Sequence, residues 1–313
     1  MRWSWRFEML TLSERNATAC GLGAILLWST ATGLIRSVTQ LLGPLAGAAM
    51  IYSLGAVLLL ALLGRPRLHA FSRVPFLLGS GLFVAYEVCL SLSLGFANSN
   101  TQAIELGVVN YLWPCLTVLL AMLMNGQKAR WSIVPGTALA LFGILWVVSG
   151  DGLSVQGIVA RVQSNPVSYS LTASGAVIWA LYCNITRRYG GSQNGLVLSF
   201  ALTAGVLWFK YVLSSEVIPA FTLRSSIELA AASAAMAAGY ALWNLGILRG
   251  NMTLLATASY FAPVLSSAFA ALWLGTALTG QFWQGALLVT AGSLICWSAT
   301  RQRLRPAQER INT

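Results

Sequence analysis

Ten apolar runs fill most of this chain: Ala17–Ile35, Pro44–Leu63, Pro75–Ala97, Ala103–Met124, Ile133–Ser149, Val167–Thr186, Gly195–Leu213, Ile227–Leu248, Met252–Gly275 and Phe282–Thr300. A helix that crosses a bilayer needs about 20 such residues, so the runs predict an all-α integral membrane protein with ten transmembrane helices. Charged residues make up 9% of the 313, against about 25% in a soluble domain. So little charge cannot cover a water-facing surface. That excludes a soluble enzyme or binding module and leaves no room for a separate soluble domain.

Connections such as residues 98–102 and 276–280 are so short that neighbouring spans must run antiparallel. With the N-terminus in the cytoplasm, 15 of the 19 Lys and Arg residues lie on that side, and Arg36, Arg161, Lys210 and Arg224 remain outside. Short cytoplasmic loops carry such an excess of basic residues, so both termini are expected in the cytoplasm. The formal net charge of +11 therefore reads as an orientation signal, and no nucleic-acid partner is expected. Residues 1–16 form a polar segment with no signal-peptide pattern, and 301–313 a basic tail.

The five cysteines, Cys20, Cys89, Cys115, Cys183 and Cys296, all fall in apolar runs without metal-ligand spacing. They read as packing residues, and neither a metal nor a cofactor is expected. The single histidine, His69, falls in a cytoplasmic loop. Ser–His hydrolysis and His-ligated zinc chemistry lack their residue, and a Walker A loop is absent. The chain does not read as an enzyme.

The sequence also repeats. A shift of 149 residues takes Tyr111 to Tyr260, Pro114 to Pro263, Leu116 to Leu265, Gly126 to Gly275, Gly136 to Gly285 and Gly143 to Gly292 without a gap. A shift of 151 takes Trp28 to Trp179 and Leu94-Gly95 to Leu245-Gly246. Residues 17–149 and 167–300 then form two five-helix repeats joined by the connection 150–166. Five is an odd number, so the second half enters the membrane upside down. Two inverted halves enclose a midplane site that opens to either side as one rocks against the other. A transporter is the expected function; duplication that merely builds a stable bundle is the bland alternative.

At this point the segments Gly23-Ala24-Ile25-Leu26-Leu27-Trp28-Ser29, Asn110-Tyr111-Leu112-Trp113-Pro114, Ser259 to Ser267 (Ser-Tyr-Phe-Ala-Pro-Val-Leu-Ser-Ser) and Trp283-Gln284-Gly285 carry a resemblance. The chain resembles the drug/metabolite transporter superfamily of EamA type, and within it the aromatic amino-acid exporters of the bacterial inner membrane, over roughly residues 17–300. The resemblance implies ten helices in two repeats around a central cavity lined by spans 1, 3, 4, 6, 8 and 9. It also implies broad selectivity for aromatic and other neutral amino acids. The N-terminal segment and the connection 150–166 match no part of that pattern.

The residues themselves point to the same place. Pro114 and Pro263 break the backbone ladder mid-span and free carbonyls that only protein or a wet cavity tolerates. Tyr111, Trp113 and Tyr260 flank these breaks, and Trp28, Trp179 and Tyr182 lie mid-span rather than in an interfacial belt. Each alone is as consistent with packing or lipid contact. Trp28 and Trp179 stand out because the repeat puts them at matched depth, where they would floor a cavity from opposite sides.

An amino-acid cargo offers an ammonium for an aromatic face and a carboxylate for donors such as Asn110, Asn244, Ser29, Tyr111 and Tyr86. Two acids fall within spans, Glu87 near the middle of the third and Glu105 near the outer end of the fourth. An intramembrane acid is a functional candidate by default. Both are candidates for proton coupling, with hydrogen-bonded structural glue as the alternative reading. The sequence thus predicts an amino-acid exporter working by alternating access, surrounded by lipid and monomeric. A non-saturable channel or a membrane scaffold or sensor is the competing function.

Overall fold

The computed structural model describes residues 13–66, 73–126, 130–150, 152–189, 195–217 and 219–300. Residues 1–12, the tail 301–313, His69 and Lys128 lie outside the described residues. Helices dominate, and no strand occurs among the described residues. The first apolar run forms α1 (Glu14–Ser29) and α2 (Ala31–Leu42), bent by 41° at Thr30. Ser13 starts α1 by accepting a hydrogen bond from the Asn16 N–H. Next comes α3 (Pro44–Leu63), which begins on a proline suited to the first helical turn and stops before Gly64, whose φ of 78° disfavours any other residue.

Then follow α4 (Arg73–Gly95), the broken pair α5 (Asn100–Asn110) and α6 (Trp113–Asn125), and α7 (Ile133–Ser149). A short helix, α8 (Val155–Ser164), sits in the connection that the sequence leaves without structure. The remainder is α9 (Pro166–Tyr189), α10 (Gly195–Val212), α11 (Leu223–Arg249), a second broken pair α12 (Met252–Ser259) and α13 (Ala262–Trp273), and α14 (Gly280–Thr300). Among the described residues, five helical stretches are long and apolar enough to cross a bilayer, one of them the pair α5–α6 taken together, and the bent pair α1–α2 makes a sixth. Helices α7 and α13 are apolar but shorter. This is the architecture of an all-helical membrane protein.

One boundary differs from the sequence expectation for a clear reason. The first span was expected to end at Ile35, with Arg36 outside, yet α2 runs on to Leu42 and Arg36 is buried inside it. Its guanidinium donates to the Leu94 and Gly95 carbonyls, both at 3.1 Å, at the C-terminal end of α4, where Leu94 keeps only a long 3.4 Å bond from the Ala97 N–H. A cation at a helix C-terminus is favourable, so the charge caps a neighbour instead of marking a loop.

Helix pairing follows the repeat. Helix α7 lies along α14, α1 along α11 and α9 along α4. A Cβ added to Gly143 would meet the Gly285 carbonyl oxygen at 2.8 Å, and one added to Gly292 would meet that of Gly136 at 2.6 Å. The shift of 149 residues exchanges these two contacts, so the α7–α14 crossing is two-fold in character. The shift of 151 likewise relates α9–α4 to α1–α11, in the latter of which Gly246 lies against the Gly21 backbone.

Candidate functional site

The repeat-related breaks are local consequences of proline. Without an N–H, Pro114 and Pro263 leave the carbonyls of Asn110 and Ser259 without ladder partners, and each chain loosens for two residues: Tyr111-Leu112 and Tyr260-Phe261. There the hydrogen bonds tighten to three-residue spacing: Tyr111 N–H to Val108, Leu112 to Val109, Tyr260 to Thr257 and Phe261 to Ala258.

Beside the first break lies a continuous aromatic cluster. Trp179 and Tyr182 of α9 stack at 4.8 Å, Tyr86 of α4 lies 4.5 Å from Trp179, and Trp113 meets the same indole edge-on at 6.4 Å. Asn110 donates to the Tyr86 hydroxyl at 3.2 Å. Trp28 of α1 joins through Tyr240 of α11, whose ring is 5.0 Å from Trp28 and 6.3 Å from Trp179. Phe83 packs on Trp179, Tyr182 and Tyr240 from α4. Two polar atoms here are buried without a protein partner, the Trp28 indole Nε1 and the Asn110 Oδ1.

Other candidates sit around this cluster. Asn244 is half-buried one turn beyond Tyr240 on α11, and Ser29 is buried with its hydroxyl on the Ile25 carbonyl. Tyr111 is half-buried against the core, and nearby Ser266 bonds Thr32 at 3.0 Å, tying α13 to α2. Tyr260 turns instead toward α14, with its ring 6.4 Å from Trp297. It is not among the ring contacts of the cluster.

The two acids have different surroundings. Glu87 is fully buried; Tyr52 of α3 donates to Oε2 at 2.6 Å, and Tyr240 donates to Oε1. Both oxygens have a phenol donor, and Ser91 also contacts the Tyr52 hydroxyl at 3.1 Å. Glu105 is tied up near one end of the bundle, accepting from Tyr169 at 2.9 Å with Arg161 of α8 at 3.7 Å. At that end Asn165 donates to the Phe96 carbonyl and Gln102, Asn98 donates to the Ser164 carbonyl, and α5 packs on α13. No cluster of metal-ligating side chains occurs among the described residues.

Sequence reasoning missed Tyr52, Phe83, Tyr240 and Phe200 of α10, whose ring lies 5.3 Å from Tyr52 and 5.6 Å from Tyr240. The repeat shift of 151 pairs Tyr240 with Cys89, so matched aromatics did not reveal it. Phe83 was detectable, because it lies one helical turn before Glu87 and three residues before Tyr86, on one face.

Comparison with known proteins gives a consistent set of relatives. Residues 16–149 match the EamA-like transporter family. The chain is 50% identical over 293 residues to the aromatic amino acid exporter YddG of Salmonella typhimurium, covering 93% of this chain and all of that one. It is likewise 50% identical over 292 residues to the protein of that name from Escherichia coli, again over 93% and 100%. A solved crystal structure superposes with a TM-score of 0.65 at 24% identity, over 92% of this chain and 99% of the other. That likeness speaks to the fold alone.

Proposed function

Because the chain belongs to the EamA-like transporter family, we propose that it exports amino acids across the bacterial inner membrane, aromatic ones among them. The observation that carries this is the aromatic cluster from Trp28 through Tyr240 to Trp179, built where the two halves meet. It is supported by half-identical relatives, full length, that are exporters of aromatic amino acids. A zwitterionic cargo would satisfy both the buried donor on Trp28 and the buried acceptor on Asn110.

The working unit is a monomer of ten spans, in two inverted halves, 17–149 and 167–300, around this site. The exchanged glycine contacts of α7 and α14 support that reading, as do the matched breaks at Tyr111 and Tyr260. Both termini face the cytoplasm, as the basic loops favour. The site is made by Trp28, Tyr86, Asn110, Tyr111, Trp113, Trp179 and Tyr182, with Asn244 and Tyr260 at its margin. Pro114 and Pro263 provide the flexible backbone that lets the halves rock. Of the two acids, Glu87 is the coupling candidate, since Glu105 is bound to Arg161 outside the cluster.

Counterflow of labelled phenylalanine in proteoliposomes tests the reading. A carrier exchanges with saturation, a channel passes cargo without saturation and a scaffold moves nothing. Trp113→Ala and Trp179→Ala should each reduce aromatic exchange in protein that still elutes folded from a sizing column. Normal exchange by both variants would remove the cluster from the cargo path.

A further inference from the structure

We propose that Tyr240 sets the preference for aromatic cargo and that Glu87 acts through it as a positioning residue. The inference rests on the amino-acid export reading above. Tyr240 stands edge-on to both indoles, at 67° to Trp28 and 66° to Trp179, and also touches Phe83 at 5.2 Å. It is the ring through which the α1 and α9 aromatics are joined. Its backbone neighbour seats Trp28 as well: a Cβ on Gly239 would lie 2.9 Å from the Trp28 Cδ1 and Nε1 atoms. The dipeptide Gly239-Tyr240 therefore fixes where the first indole lies relative to the second.

A packed ring still has to be held in one orientation, and here the hold is at its polar tip. The Tyr240 hydroxyl donates to Oε1 of Glu87, and the carboxylate is itself anchored by Tyr52 on its other oxygen. Glu87 is bonded to Tyr52 and Tyr240 rather than to either indole, so its influence on the aromatic wall runs through Tyr240. Offset and edge contacts between rings add to simple burial, so rings held in fixed orientation reward flat aromatic side chains. Loosening Tyr240 frees the orientation of these rings. Aromatic cargo loses by this more than branched aliphatic cargo, which makes no ring contacts.

The test is counterflow in proteoliposomes of the full chain, with phenylalanine and leucine as cargo. Tyr240→Phe, which removes only the hydroxyl, should raise the KM of phenylalanine about five-fold relative to that of leucine. Glu87→Gln should move the ratio in the same direction, and the double variant should add little to either. Tyr52→Phe removes the other hydroxyl but leaves the Tyr240–Glu87 bond in place, and should move the ratio less than Tyr240→Phe does. If Tyr240→Phe does not fold with a carboxylate left short of a donor, the apolar pair Glu87→Leu with Tyr240→Phe removes that problem and must show the same ratio change. An unmoved ratio in Tyr240→Phe, or an equal change in Tyr52→Phe, overturns the inference. A wild type that exchanges neither amino acid instead defeats the export reading itself.

Discussion

Tyr111 and Tyr260 are the same residue of one design used twice: each is the first residue outside its helix, 149 positions apart, and each N–H reaches back three residues, to Val108 at 3.0 Å and Thr257 at 3.3 Å. The cause in both cases is the proline three residues on. Supplying the missing N–H tests whether the break serves movement. Pro114→Ala or Pro263→Ala favours a continuous helix by up to about 3 kcal/mol. Counterflow should then slow by about ten-fold or more, since each 1.4 kcal/mol is a decade. Wild-type rates in both variants would show that the breaks have no part in transport.

The glycines of α7 and α14 yield a stability prediction. In Gly292→Ala the new methyl falls 2.5 Å from the Ala140 nitrogen and 2.6 Å from the Gly136 oxygen, which are backbone atoms that cannot turn aside. The expected cost is about 1–3 kcal/mol, read as a lowered unfolding temperature in detergent. Gly205→Ala on α10 is the control, because nothing lies within 4 Å of its added Cβ. Glycines engaged within one chain are not free to pair two chains. A change in particle mass without a change in unfolding temperature would assign them to a dimer instead.

Much of the fold was legible because its punctuation is chemical. Pro44 and Gly64 bracket α3, and α7 stops before Gly150 at a φ of 78°. These two spans were read without error. The bend at Thr30 was not legible, because it has no proline or glycine at the break; nor was α8, whose residues are too mixed to form an apolar run. Arg36 shows a deeper limit. A basic residue reads as loop, and only the three-dimensional neighbourhood reveals that two α4 carbonyls receive it. At the site, Trp28 and Trp179 were found through the repeat, whereas Tyr240, which joins them, has no aromatic counterpart in the first half.

The topology proposed from the charge distribution can be tested by labelling. In a background without the native cysteines, Asn98→Cys and Gly150→Cys should react with a membrane-impermeant maleimide added to intact cells. Arg65→Cys should react only after the membrane is opened. Arg65 is exposed at the opposite end of α3 from the Glu216 carboxylate, which caps that helix by accepting from the Leu45 and Ala46 N–H groups. Labelling of Arg65→Cys from outside would reverse the orientation.

The last prediction concerns energy coupling. An ionised carboxylate at the bilayer centre is disfavoured by about 2.5 kcal/mol or more, and Glu87 is fully buried near the middle of α4. A carboxyl group that reached water in one state of the cycle and was shut away in the other would load and release a proton, linking inward proton movement to outward cargo movement. Glu87 has the connections to do this, since its two phenols come from α3 and α11, one in each half, and a shift of either half changes its donors. Glu87→Gln keeps the size of the acid and one acceptor while ending titration. Efflux from wild-type proteoliposomes should quicken when the side receiving cargo is made more acidic than the side supplying it, and Glu87→Gln should transport at a rate indifferent to that gradient. If the wild type ignores the gradient, the protein runs cargo down its own concentration difference, and Glu87 serves only to hold its two tyrosines. If the wild type responds and Glu87→Gln responds equally, the proton is carried elsewhere.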